Sequence, residues 1–103
     1  MAVKKLNESD FHETIKNSEL PALVDFYADW CAPCRQIAPL MKEISDETAG
    51  TALVYSVDVD ACPGLASEFS IMSIPFVVSF KNGKLHKKSI GVVPKPKLLE
   101  LLE

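Results

Sequence analysis

Three short apolar runs constrain this chain most: Ala22-Leu23-Val24-Asp25-Phe26-Tyr27, the run 52–59, and Phe76-Val77-Val78-Ser79-Phe80. Each is strand length and rich in β-branched or aromatic residues. None alternates cleanly between apolar and polar, which is the pattern of strands covered on both faces. Between the first two runs, Ile37, Leu40, Met41 and Ile44 recur at helical spacing, predicting a long helix to about Glu47. Strand, helix and strand in this order imply a parallel pair joined by a right-handed crossover. After the third run, Asn82-Gly83 is a strong hairpin signal and predicts an antiparallel partner over Lys84–Ile90. The expected architecture is α/β, a mixed sheet with helices on both faces.

The remaining elements fit around that frame. Residues near Val3–Leu6 read as a short first strand. Ser9 is placed to cap a helix through Phe11 and Ile15, with Asp10 and Glu13 near its positive end. Leu20-Pro21 ends that segment, because the residue before proline avoids helical geometry. Pro39 lies inside the long helix and removes a backbone donor, so a kink is expected. Thr48-Ala49-Gly50 closes that helix, with the glycine suited to a left-handed cap. A short helix near Pro63–Phe69 and a last one from Pro96 through Leu102 complete the reading.

At 103 residues the chain suits one domain, 1–103. Eleven basic against fourteen acidic residues leave a net charge of -3 and argue against nucleic acid, whose binding needs a basic face. The same balance gives no support for attraction to anionic membranes. No apolar stretch approaches the ~20 residues of a membrane span, and residues 1–8 lack the apolar core of an export signal. The expectation is a cytoplasmic, reducing setting and a monomer. Three cysteines, an odd number, also fit poorly with a secreted disulfide framework.

Cys31-Ala32-Pro33-Cys34 stands where the first apolar run gives way to the long helix. A thiol there feels unpaired backbone N–H groups and the positive end of the helix, which favour thiolate. Thiolate is the attacking species in disulfide exchange. Cys34, one turn on, is placed to close a disulfide with Cys31. The other chemistry of this spacing is metal binding. A tetrahedral zinc site usually needs a second ligand pair, and Cys62, His12 and His86 do not form one. Redox chemistry without metal is therefore the favoured reading.

Asp25 is an acid amid Leu23, Val24, Phe26 and Tyr27. Buried, its pKa would rise, and it could take the proton from Cys34. Read locally, it is equally a solvent-facing acid on a strand edge.

Val24-Asp25-Phe26-Tyr27-Ala28-Asp29-Trp30-Cys31-Ala32-Pro33-Cys34-Arg35 resembles the active-site region of the thioredoxin family. The match continues in Pro39, 57–60, Ser73-Ile74-Pro75, 80–83, Gly91 and the Leu-rich end, nearly the whole chain in order. The resemblance implies the thioredoxin fold, a mixed sheet of about five strands flanked by about four helices on both faces. It implies a protein-disulfide reductase recharged by an NADPH-dependent flavoprotein, thioredoxin reductase, and acting on disulfide-containing client proteins. No cofactor of its own is expected. Carried over by position, Cys31 is the exposed nucleophile, Cys34 the resolving thiol and Asp25 the buried acid. Trp30, Ala32, Pro33, Ile74, Pro75 and Gly91 would border the client, with Pro75 resembling the family's cis-proline. Two other readings stay open: the same chemistry run as an oxidase or isomerase, and a protein-binding scaffold that uses the surface around Trp30, Pro75 and Gly91.

Four positions depart from the family pattern. Ala32 replaces the usual glycine, which bears on redox potential. Phe76 replaces a usual threonine, either restricting clients or simply packing. Ser56 replaces a lysine found in many members near the buried acid. Pro94 replaces a serine-like cap. Cys62 reads as a small semi-buried residue or, alternatively, a regulatory thiol. His12, His86 and Lys84, Lys87 and Lys88 read as solvated.

Overall fold

The computed structural model describes residues 3–103. The elements run β1 (Lys4–Lys5), α1 (Phe11–Lys16), β2 (Ala22–Tyr27), α2 (Ala32–Glu47), β3 (Leu53–Asp58), α3 (Pro63–Glu68), β4 (Phe76–Lys81), β5 (Lys84–Ile90) and α4 (Lys95–Glu100). One five-stranded sheet has the order β1-β3-β2-β4-β5. β1 and β2 pair with β3 in parallel, and β2–β4 and β4–β5 are antiparallel. The expected mixed α/β sheet is observed, with the five strands that the resemblance implied.

Alternation along the strands divides the core into two layers. Val24 and Phe26 of β2, Val57 of β3 and Val78 and Phe80 of β4 face α1 and α3, where Phe11, Ile15 and Leu65 meet them. Leu23, Val54 and Val77 face α2 and α4, against Ile37, Met41, Ile44 and Leu98. Each fully buried side chain of this kind contributes roughly 1.5–3 kcal/mol. Asp25 lies two residues beyond Leu23, so the period of two puts its carboxyl on the α2 face.

The hairpin forms as expected. Asn82 (φ 54°) and Gly83 (φ 76°) are both left-handed, the geometry of a two-residue turn that matches strand twist. Ser79 is fully buried, and its hydroxyl accepts the Lys87 N–H at 3.1 Å beside a register shift in the β4–β5 pairing.

The helix ends show how these elements are capped, with two differences from the expectation, at Ser9 and at the start of α4. Ser9 does not cap α1: its hydroxyl donates to Asn7 Oδ1 at 2.6 Å. Asn7 and Asp10 instead exchange bonds, each side chain accepting the other's backbone N–H at 3.0–3.1 Å. α2 ends at Glu47 as expected, and Thr48 closes it by bonding through N–H and hydroxyl to the Ile44 carbonyl. Gly50 (φ 88°) then turns the chain toward β3. α4 begins one residue early, with Pro94 at its N-cap and no side-chain cap. Lys95 bridges Glu43 and Glu47, fastening α4 to α2.

Candidate active site

β2 delivers the chain to the sheet's end, and residues 28–31 turn it into α2. Cys31 is the N-cap of α2 (φ −88°, ψ 106°) and Pro33 lies in the first turn, where a missing N–H costs nothing. Cys31 Sγ accepts the Cys34 N–H at 3.2 Å. The two sulfurs form a disulfide, with Cα atoms 5.3 Å apart. Arg35 fixes the approach to the helix by donating to the Asp29 carbonyl at 2.7 Å.

Cys31 is less open than the resemblance implied. It is 4% exposed and Cys34 3%, enclosed with Ala28 by Tyr27, Val59 and Ile74. The first sulfur sits at the base of a groove lined by Trp30, Ala32, Pro33, Met72, Ser73 and Ile74. Burial follows from the N-cap position, which turns Sγ inward onto the Cys34 N–H.

Ile74–Pro75 is cis. The Ile74 carbonyl oxygen stands 3.8 Å from Cys31 Sγ, and the Pro75 carbonyl accepts the Gly91 N–H at 2.8 Å. Gly91 needs its left-handed φ of 86° to make that turn. Gly91 is thus tied to the proline segment rather than placed among the groove-lining residues. Trp30 is 69% exposed, and its indole N–H donates to Asp60 Oδ2 at 2.8 Å. Asp60 is in turn set by its own N–H, which donates to Asp58 Oδ1 at 2.9 Å.

Asp25 is buried at 3% exposure. Its Oδ1 has no hydrogen-bond partner among the described residues. Burial pushes its pKa up to about 7. Of the two local readings, the solvent-facing strand acid does not hold. Ser56, its register partner on β3, lines the same cavity as Asp25 and Cys34. Lys5, on β1, lies over the Tyr27 ring at 5.7 Å and 4.0 Å from Asp58.

The Phe76 departure also resolves. Its ring packs against Phe26, with centroids 6.2 Å apart, at 6% exposure. Alternation from Pro75 turns it into the α1–α3 layer and away from the groove. Cys62 is buried at 2% as the N-cap residue of α3, and burial raises its thiol pKa. That matches the small buried residue rather than an accessible regulatory thiol.

Sequence reasoning missed Asp60 and Met72. Asp60 was legible only as part of the stretch 57–60 that carries the resemblance, with no role of its own. Met72, 92% exposed, lies in an irregular loop that carries no periodicity.

The family model described as Thioredoxin matches residues 2–103. The chain is 41% identical over 102 residues to "Thioredoxin" of Synechocystis, covering 99% of this chain and 95% of that protein. It is 41% identical over 103 residues to "Thioredoxin" of Staphylococcus haemolyticus, covering 100% and 97%. It is 43% identical over 101 residues to the spinach protein "Thioredoxin M-type, chloroplastic", covering 98% of this chain and 56% of the spinach one. The chain therefore spans little more than half the length of that plant relative.

Proposed function

The chain belongs to the thioredoxin family, and from that premise we propose that it is a thiol–disulfide oxidoreductase that reduces protein disulfides. The observation that carries this reading is the Cys31–Cys34 disulfide at the start of α2, with the Cys34 N–H aimed at Cys31 Sγ. That N–H and the helix's positive end stabilise a Cys31 thiolate once the pair is reduced.

The cycle balances in two exchanges. Cys31 thiolate attacks one sulfur of a client disulfide. A mixed disulfide forms and the other client sulfur leaves as thiolate. Cys34 then loses its proton to Asp25, attacks Cys31 Sγ, and releases the second client thiolate. The protein ends oxidised and the client reduced by two electrons. An NADPH-dependent thioredoxin reductase returns those electrons. Trp30, Ala32, Pro33, Ile74 and Pro75 hold an extended client segment over the sulfurs, where backbone groups beside Pro75 can pair with it. Gly91 supports that segment through the Pro75 carbonyl. The proposal includes one domain over residues 1–103, action as a monomer, a cytoplasmic setting, and neither nucleic acid nor membrane as partner. No helix of the described residues is long and apolar enough to cross a membrane.

The test is reduction of a protein disulfide with dithiothreitol as electron source. Turnover is expected to vanish in Cys31→Ser, and Cys34→Ser is expected to accumulate mixed disulfides, because release is blocked. A Cys34→Ser protein that collects no adducts would remove the assigned division of labour. In stopped flow, Asp25→Ala is expected to slow resolution more than the first attack at neutral pH.

A further inference from the structure

Asp25 borders open space as well as packed side chains. A cavity of about 270 Å³ runs between β2, β3 and α2, with Asp25, Cys34, Ala38, Met41 and Ser56 on its walls. It shares no lining residue with the groove above Cys31. Its polar feature is unusual: a carboxyl at 3% exposure whose Oδ1 meets no donor among the described residues. Ser56 stands across from Asp25 in the β2–β3 register, and its short side chain leaves the space unfilled. On α2, Ala38 and Met41 give the wall an apolar stretch beside Cys34 and Arg35.

An acceptor without a donor, set beside apolar walls, selects for its complement. Water that enters meets the Asp25 carboxyl and the Ser56 hydroxyl, and a ligand that displaces it must replace those bonds. The complement is a molecule with an N–H-bearing head and a compact apolar body. A charged head is favoured, since hydrogen bonds to an ionised partner are roughly twice as strong as neutral ones. The other ionisable groups on the wall are Tyr27, Asp29, Cys34 and Arg35. Arg35 turns one N–H, at Nη1, to the Asp29 carbonyl, and Lys5 lies over the Tyr27 ring.

We propose that this cavity is a binding site for a small organic cation, an ammonium or amidinium on a compact apolar body, which seats its N–H donors on the Asp25 carboxylate. Binding stands on the cavity alone. Its consequence for turnover rests on Asp25 being the proton acceptor for Cys34. An occupied Asp25 gives its lone pairs to the ligand, and resolution of the mixed disulfide slows.

The probe is benzamidine, with benzamide as its neutral match in shape, titrated into the oxidised full chain and followed by nuclear magnetic resonance. The expected result is saturable movement of the Ala38, Met41 and Ser56 amide signals, with Trp30 and Met72 still. Benzamide is expected to bind about tenfold more weakly, the scale of one hydrogen bond to a charged group. At saturation the carboxyl of Asp25 should titrate lower, by the logarithm of the ratio of benzamidine's affinities for the ionised and the protonated carboxyl. Asp25→Asn, and independently Ser56→Lys, whose ammonium would enter the cavity, are each expected to abolish binding while keeping a folded spectrum. Equal binding of benzamide, movement at Trp30 and Met72 instead, or binding that survives both substitutions would overturn the proposal. These readouts use no turnover, so failure of the reductase reading would leave them intact, and the converse holds too.

Discussion

Trp30 is the largest apolar side chain exposed beside the sulfurs, and a single hydrogen bond to Asp60 sets its orientation. On the proposed reading, an exposed indole held in one pose would present apolar area to a client without first losing rotamer freedom. Removing the hold leaves the chemistry of Cys31 untouched but makes binding less pre-organised. Asp60→Ala is therefore expected to raise KM for a protein disulfide about fivefold, the worth of one hydrogen bond near 1 kcal/mol, with kcat unchanged. Steady-state kinetics and the fluorescence anisotropy of the one tryptophan check this together. A fall in kcat at constant KM would assign Asp60 a different task. The pair also marks where the sequence stops informing. Trp30 and Asp60 are thirty residues apart, and neither lies in a periodic segment, so no local pattern joins them. Cys31, Cys34 and Asp25 could be picked out because each breaks or punctuates a local pattern. Asp25 became unambiguous only when the α2 face was seen to cover it.

At the scale of elements, what was legible followed local rules. β2, β3 and β4 announce themselves as apolar runs, α2 as a repeat, and the hairpin as Asn82-Gly83. The Ser9 cap failed because two better local acceptors, Asn7 and Asp10, capture each other's backbone N–H groups first. The start of α3 was legible at Pro63, but its cap was not, because the capping group is remote: Glu8 Oε1 accepts the Leu65 N–H at 3.1 Å. Glu8→Ala is expected to lower stability by about 1 kcal/mol, typical of a lost cap. Gly64 sharpens the test, because a Cβ placed there would stand 2.6 Å from Glu8 Oε1. In the native background Gly64→Ala displaces the capping carboxylate and brings no gain. With Glu8→Ala already made, the same change should stabilise by up to about 1 kcal/mol, the helix preference of alanine over glycine. Urea unfolding of the four proteins measures the cycle, and additive effects would show that Glu8 does not act through the α3 terminus.

For the whole molecule, the buried acid is a load that the rest of the core carries. Asp25 has an ordinary pKa of 3.8 and a folded value of about 7. Below about pH 4 both states are protonated and the acid costs little. Between about pH 4 and pH 7 the unfolded chain gives up a proton that the folded protein keeps. The folded state then binds more protons, and stability falls as pH rises. The fall corresponds to about 4 kcal/mol at about 1.4 kcal/mol per pH unit, and it is complete above the folded value. Urea unfolding of the oxidised protein from pH 4.5 to 8.5 should show this descent. Asp25→Asn should flatten it and be the more stable protein at pH 8.5, whereas a slope kept in Asp25→Asn would place its source elsewhere. That loss is tolerable because two apolar layers, not the site, hold the sheet together. The same burial that weakens the fold at high pH brings the Asp25 pKa up to about 7 beside the cavity it shares with Cys34, the property that the proposed resolving step would require of it.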